Sequence, residues 1–90
     1  MSMGTVSVLY RVMPQGVQVD MKALAEGARA ALPPAVRLRG LQVRDVAYGL
    51  KELLVAVQMD DAGGILEQVE KALAALPHAE SVEVLESTLL

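Results

Sequence analysis

The chain contains no cysteine, no phenylalanine, no tryptophan and no asparagine, and only one histidine. Each gap removes a class of chemistry. Without cysteine there is no disulfide, no thiolate nucleophile and no cysteine zinc site. Without Phe and Trp, the core must come from Leu, Val, Ala and Met, which pack through many small contacts. Tyr10 and Tyr48 are the only aromatic residues. Sheet-type RNA readers stack bases on exposed aromatics of the middle strands, and that reading fails here. Excess positive charge is missing too. Eight Lys and Arg face eleven Asp and Glu, for a net charge of -3 and a pI near 5.0. Direct nucleic-acid binding needs the opposite balance to release counterions. No apolar run approaches the ~20 residues of a membrane span. Met1 to Thr5 lacks both the charged start and the apolar stretch of a signal peptide. The expectation is a cytoplasmic protein with no membrane partner, no direct nucleic-acid partner, no cofactor and no metal.

What is present reads as one domain over residues 1–90, with 1–3 expected to be disordered or left over from expression. Hydrophobic residues make up 53% of the chain, enough for a single core at this length. Thr5 to Met13 alternates, with Val6, Val8, Tyr10 and Val12 on one face, which predicts a half-buried strand stopped at Pro14. Asp20 offers an N-cap, and Leu24, Ala28, Ala31 and Leu32 follow at helical spacing up to Pro33-Pro34. A second strand starts at Ala35 or Val36. Its apolar phase shifts at Gly40, from Val36 and Leu38 to Leu41 and Val43, which suggests a bulge. Asp45 to Gly49 reads as a turn. Leu50 to Met59 is apolar enough at its centre for an interior strand. Ile65, Leu66, Val69, Ala72, Leu73 and Leu76 form the stripe of a second helix, closed by Pro77. A last strand runs from about Glu80 to Ser87, with Val82 and Val84 inward.

The order βαββαβ points to an α+β sandwich of ferredoxin-like type. It has a four-stranded antiparallel sheet in the order 4-1-3-2 and both helices on one face. His78 has no nearby nucleophile or second ligand, so it reads as a solvated loop residue. Asp60-Asp61 before Gly63-Gly64 reads as turn formation and favourable charge near a helix start, with a weak cation site as the lesser alternative. Arg37, Arg39 and Arg44 charge one edge of the expected sheet, and Glu80, Glu83 and Glu86 the other. Such charges discourage unwanted strand pairing and equally offer a polar contact surface. Pro14-Gln15-Gly16-Val17-Gln18 is superficially similar to the first loop of acylphosphatases, which share this fold. Their chemistry uses an Arg in that loop and an Asn on a later strand, and this sequence has no Asn. Tyr48 lies in a turn before Gly49, where a ring has little reason to be buried. It reads either as a ring folded back over an edge or as an aromatic anchor for a partner.

Several segments, in order and spacing, carry a resemblance. They are Val12-Met13-Pro14, Val19-Asp20-Met21 with Leu24, Leu32-Pro33, Asp60-Asp61, Ser81-Val82-Glu83-Val84 and, most specific, Val46-Ala47-Tyr48-Gly49-Leu50-Lys51-Glu52-Leu53. From Gly4 to Leu90 the chain resembles the archaeal elongation factor 1-beta family and the C-terminal exchange domain of its eukaryotic counterpart. The resemblance implies a non-enzymatic catalyst of GDP release from the GTPase elongation factor 1-alpha; a monomer or weak dimer is expected. It implies partner contacts at Tyr48 and Gly49 and at the Leu89-Leu90 tail, with Lys51 as a further candidate contact that supplies positive charge, or else a solvated strand end. Two departures stand out. The family usually has Phe at the Tyr48 position. Its second-to-last residue is usually basic and implicated in disturbing the magnesium and phosphate site, but here that residue is Leu89. Two alternatives remain: a small regulatory metabolite-binding domain acting through dimerisation, and a structural adaptor.

Overall fold

A computed structural model describes residues 4–60 and 63–90. The expectations for residues 1–3, and for Asp61 of the acidic pair, lie outside the described residues. Six elements follow the expected order: β1 (Thr5–Pro14), α1 (Met21–Ala31), β2 (Arg37–Ala47), β3 (Leu50–Asp60), α2 (Ile65–Ala74) and β4 (Ala79–Leu89). The strands form one antiparallel sheet in the order β2-β3-β1-β4, which is the ferredoxin-like arrangement.

Pairing register explains which residues meet the helices. Val8 stands opposite Val57, Tyr10 opposite Val55 and Val12 opposite Leu53, so the apolar phase of β1 coincides with that of β3. These six residues are essentially sealed from solvent and join Leu24, Ala28, Val69 and Leu73 of the two helices in one core. Val82 and Val84 share this face, opposite Val12 and Tyr10. Val84 stays 37% exposed because β4 is an edge. Tyr10 is the one buried aromatic, and its hydroxyl donates to the Leu66 carbonyl of α2 at 3.2 Å. Burial, and secondarily the charge of Glu70, pushes the phenol up to about 12.

Local signals work as expected in α1 and at the β2 bulge. Asp20 caps α1, its carboxylate accepting from the amides of Lys22 and Ala23. In β2, Leu38 pairs with Val57 and Gly40 with Ala56, leaving Arg39 as the extra residue. The bulge brings Leu41 and Val43 back to the covered face, opposite Val55 and Leu53. The expectation of a turn from Asp45 to Gly49 is corrected. Pairing continues through Asp45↔Lys51 to Ala47↔Leu50, with Val46 bulged out between them, and the turn itself is only Tyr48 and Gly49. The charged and alanine residues before the turn suggested a loop, but cross-strand pairing overrides that local composition. The last strand is also longer than expected, reaching Leu89 instead of Ser87.

The strands outrun the helices. Eleven residues of strand rise roughly 36 Å, whereas eleven residues of helix rise roughly 16 Å. The molecule is accordingly elongated, at 48 × 20 × 17 Å. Sheet ends therefore project beyond the helical cover.

Candidate functional site

Tyr48 and Gly49 form the two-residue loop between β2 and β3, and both have positive φ, 54° and 81°. That geometry is the type I′ hairpin turn, whose first position favours Asn, Asp or Gly. A tyrosine there costs on the order of 1 kcal/mol or more in backbone strain. Its ring recovers none of this by packing, because Tyr48 is fully exposed, at 102% of the reference area. Neither turn chemistry nor burial selects a tyrosine at this position.

Surroundings extend the apolar character of this tip. Val46 is an extra residue between the pairs Asp45↔Lys51 and Ala47↔Leu50, and it is 51% exposed. Gly49, Val43 and Val17 line a shared hollow together with Pro14 and Gly16. Lys51, expected as a contact, donates to the Asp45 carboxylate at 2.6 Å. Its charge is half-exposed and already partnered.

The Leu89-Leu90 tail is not a loose arm. Leu89 pairs with Val6 at the end of β4, and the Leu90 amide donates to the Thr5 carbonyl at 2.7 Å. Both side chains remain about two-thirds exposed. The structure brings Tyr48, Gly49 and Lys51 together, but sets the tail at the other end of the sheet. Leu89 is level with Val6, which pairs with Met59 of β3, and the hairpin turn adjoins Leu50 at the other end of that strand. Nine residues of β3 separate the two levels, roughly 30 Å at strand spacing.

The uncovered face carries a row of charge that sequence reading missed. Glu52 is 5% exposed although it lies on this open face. Arg44 Nε and Nη2 donate to its Oε1 at 3.1 and 2.7 Å, and Arg11 Nη1 stands 3.6 Å from its Oε2. Arg11 also pairs with Glu83, so the row Arg44–Glu52–Arg11–Glu83 crosses all four strands. Nothing in the spacing of these residues signals that a glutamate between Lys51 and Leu53 would be the buried one. The edge charges fall where expected, arginines on β2 and glutamates on β4, at opposite sides of the sheet.

Other candidates hold less. His78 is exposed, has a left-handed backbone with φ 71°, and accepts the Gln15 amide at its carbonyl at 2.9 Å. Among the described residues, no three His, Asp or Glu side chains are placed to hold a metal, and no helix is long and apolar enough to cross a membrane. A groove of about 420 Å³ runs between the start of α1 and the loop before β4, with Leu24, Gly27 and Leu76 in its walls and Asp20 and His78 among its polar lining.

Comparison with known proteins covers nearly the whole chain. The EF-1 guanine nucleotide exchange domain matches residues 7–90. Elongation factor 1-beta of Methanococcoides burtonii is 40% identical over 93% of this chain and 94% of that protein. The same factor of Methanoregula boonei is 36% identical over 97% and 99%, and that of Halorubrum lacusprofundi 38% over 91% and 93%. Two solved structures share the fold alone. They are the C-terminal domain of the MgtC protein from Mycobacterium tuberculosis (TM-score 0.54, 15% identity, 98% of this chain and 88% of that one) and the de novo designed protein Foldit4 (TM-score 0.56, 24% identity, 93% and 96%). The family match runs from within β1 through the tyrosine-tipped hairpin to residue 90: the chain belongs to the elongation factor 1-beta family of EF-1 guanine nucleotide exchange domains.

Proposed function

We propose that the chain promotes GDP release from the translational GTPase elongation factor 1-alpha in the cytoplasm, using the Tyr48 hairpin as its principal anchor. Family membership supports the activity. The single observation that supports the anchor is a fully exposed tyrosine held on strained backbone at a rigid turn. No bond is made or broken in such a reaction. Whatever affinity the factor gains for the nucleotide-free GTPase, bound nucleotide loses by the same ratio. To act, the domain must favour a GTPase conformation in which nucleotide contacts are weakened.

Geometry limits how the tail takes part. Lys51 lies at the hairpin end and is paired to Asp45, so it does not supply positive charge beside Leu89. The tail acts, in this reading, by apolar contact and shape. A partner that touches both ends is gripped at two places separated by the length of the sheet. The domain works as a monomer or weak dimer, without cofactor, nucleic acid or membrane. A metabolite-binding role would have the groove beside His78 as its site, and it predicts a ligand-dependent rise in melting temperature.

The test is fluorescent GDP release from elongation factor 1-alpha of the same organism, with and without this protein. Release unchanged by folded protein would sink the proposal. Removing Leu89-Leu90 is expected to slow exchange modestly, and Leu89→Lys to match or exceed the parent. Complete loss on removing the two leucines, with folding intact, would make the tail the principal element instead.

A further inference from the structure

The eight large hydrophobic residues exposed among the described residues fall into two groups. Val84, Leu85, Leu89 and Leu90 lie along β4 and its end, while Val17, Val43, Val46 and Tyr48 gather at the hairpin end. Three of the second group belong to β2 and its turn. The fourth, Val17, comes from the separate loop between β1 and α1, and it is 65% exposed.

We infer that this loop is the second half of the partner-binding tip, with Val17 as an anchor beside Tyr48. The inference rests on the exchange-factor reading above. Val17 Cγ1 lies 3.9 Å from where a Cβ on Gly49 would stand, so the loop leans directly on the hairpin turn. Both projections are stiff. The Gln15 amide donates to the His78 carbonyl at 2.9 Å, the Val19 amide donates to the Gly16 carbonyl at 3.3 Å, and Asp20 then caps α1. On the other side, the Asp45–Lys51 pair closes the hairpin below Tyr48. Rigid apolar groups lose little freedom on association, which favours them as anchors. The lip of the same hollow carries Lys22, Lys51, Asp20 and, beside Lys51, Asp45. Asp20 is engaged in capping and Asp45 in its ion pair, so Lys22 is the lip charge with no carboxylate within ion-pair distance among the described residues. The surface this fits on the GTPase is an apolar hollow wide enough for a ring and a β-branched side chain, with a carboxylate at its rim.

Affinity for the nucleotide-free GTPase, measured by calorimetry with melting temperature as the folding control, tests the assignment. Val17→Asp is expected to bind about tenfold more weakly, comparable to losing the burial of one Val-sized side chain. Val17→Ile is expected to bind like the parent. Parental affinity in Val17→Asp, alongside weakened Tyr48→Ala, overturns the role of the loop and leaves the exchange reading standing. A parent chain that neither binds nor accelerates release overturns both. If Val17→Asp melts early, Val17→Ser is read in its place. Weaker binding by roughly threefold is then expected, and parental affinity again overturns the inference.

Discussion

The two faces of the sheet are held together differently. The covered face is packed from Val8, Val12, Leu53, Val55 and Val57 against Leu24, Val69 and Leu73, and among the described residues its ion pair, Asp45–Lys51, lies at the hairpin end outside that core. The open face has no helix above it and instead binds its four strands with Arg44–Glu52–Arg11–Glu83. Apolar burial scales with area and is not screened by salt, whereas a charge row is strong only as far as its members are withdrawn from water. Glu52 is withdrawn, while its two arginines are 37% and 53% exposed. The covered face therefore carries most of the stability, and the open face sets strand alignment.

The largest effect should come from the covered face. Leu53→Ala opens a cavity at the centre of β3 and is expected to cost about 3 kcal/mol in urea unfolding. The open face should respond less. Glu52→Ala is expected to cost about 1.5 kcal/mol, since the exposed guanidinium groups regain water, and the loss should shrink in high salt. A Glu52 variant as damaging as Leu53→Ala would erase the distinction between the faces.

Tyr10→Phe probes one polar atom within the covered face, the hydroxyl on the Leu66 carbonyl, and is expected to cost about 1 kcal/mol at neutral pH. It also carries a pH signature. The folded phenol titrates near 12 against 10 when unfolded, so the folded state holds its proton longer. Stability from this group is complete below pH 10 and is lost as pH rises through about 12. Tyr10→Phe should flatten that alkaline decline. An unchanged decline would assign it to other groups.

The smallest effect on stability should have the largest consequence for function. Tyr48→Asn suits the type I′ turn better and is expected to change stability by less than about 1 kcal/mol, in the favourable direction. Affinity for the GTPase should fall by about 2 kcal/mol, near thirtyfold, as the ring is removed. A stabilised variant with full affinity would make the tyrosine incidental.

Much of this was legible in the sequence because it depends on local period and local chemistry. Alternation in β1, the phase shift at Gly40 and the cap at Asp20 each encode their own geometry. Tyr48 was legible as an oddity, since a ring in a turn lacks a packing reason. What could not be read depends on residues far apart in the chain. The burial of Glu52 follows from Arg11 and Arg44 arriving from two other strands. The adjacency of Val17 to Gly49 follows from the fold closing one loop upon another. The placement of Leu89 and Leu90 opposite to Tyr48 is a matter of strand direction, which the proximity of neither segment in sequence reveals.

The overhang of the sheet beyond its helices has a kinetic consequence. Backbone amides at the middle of β1 and β3 are bonded to strands on both sides over the packed core, and they exchange only when that core and its pairing open together. Those near Tyr48 and near Leu89 need only a local fraying. Deuterium uptake should therefore be slowest around Tyr10 and Val55 and quicken towards both ends of every strand. The segments offered to a partner would be the first to label when free, and their uptake should slow most once the GTPase is bound.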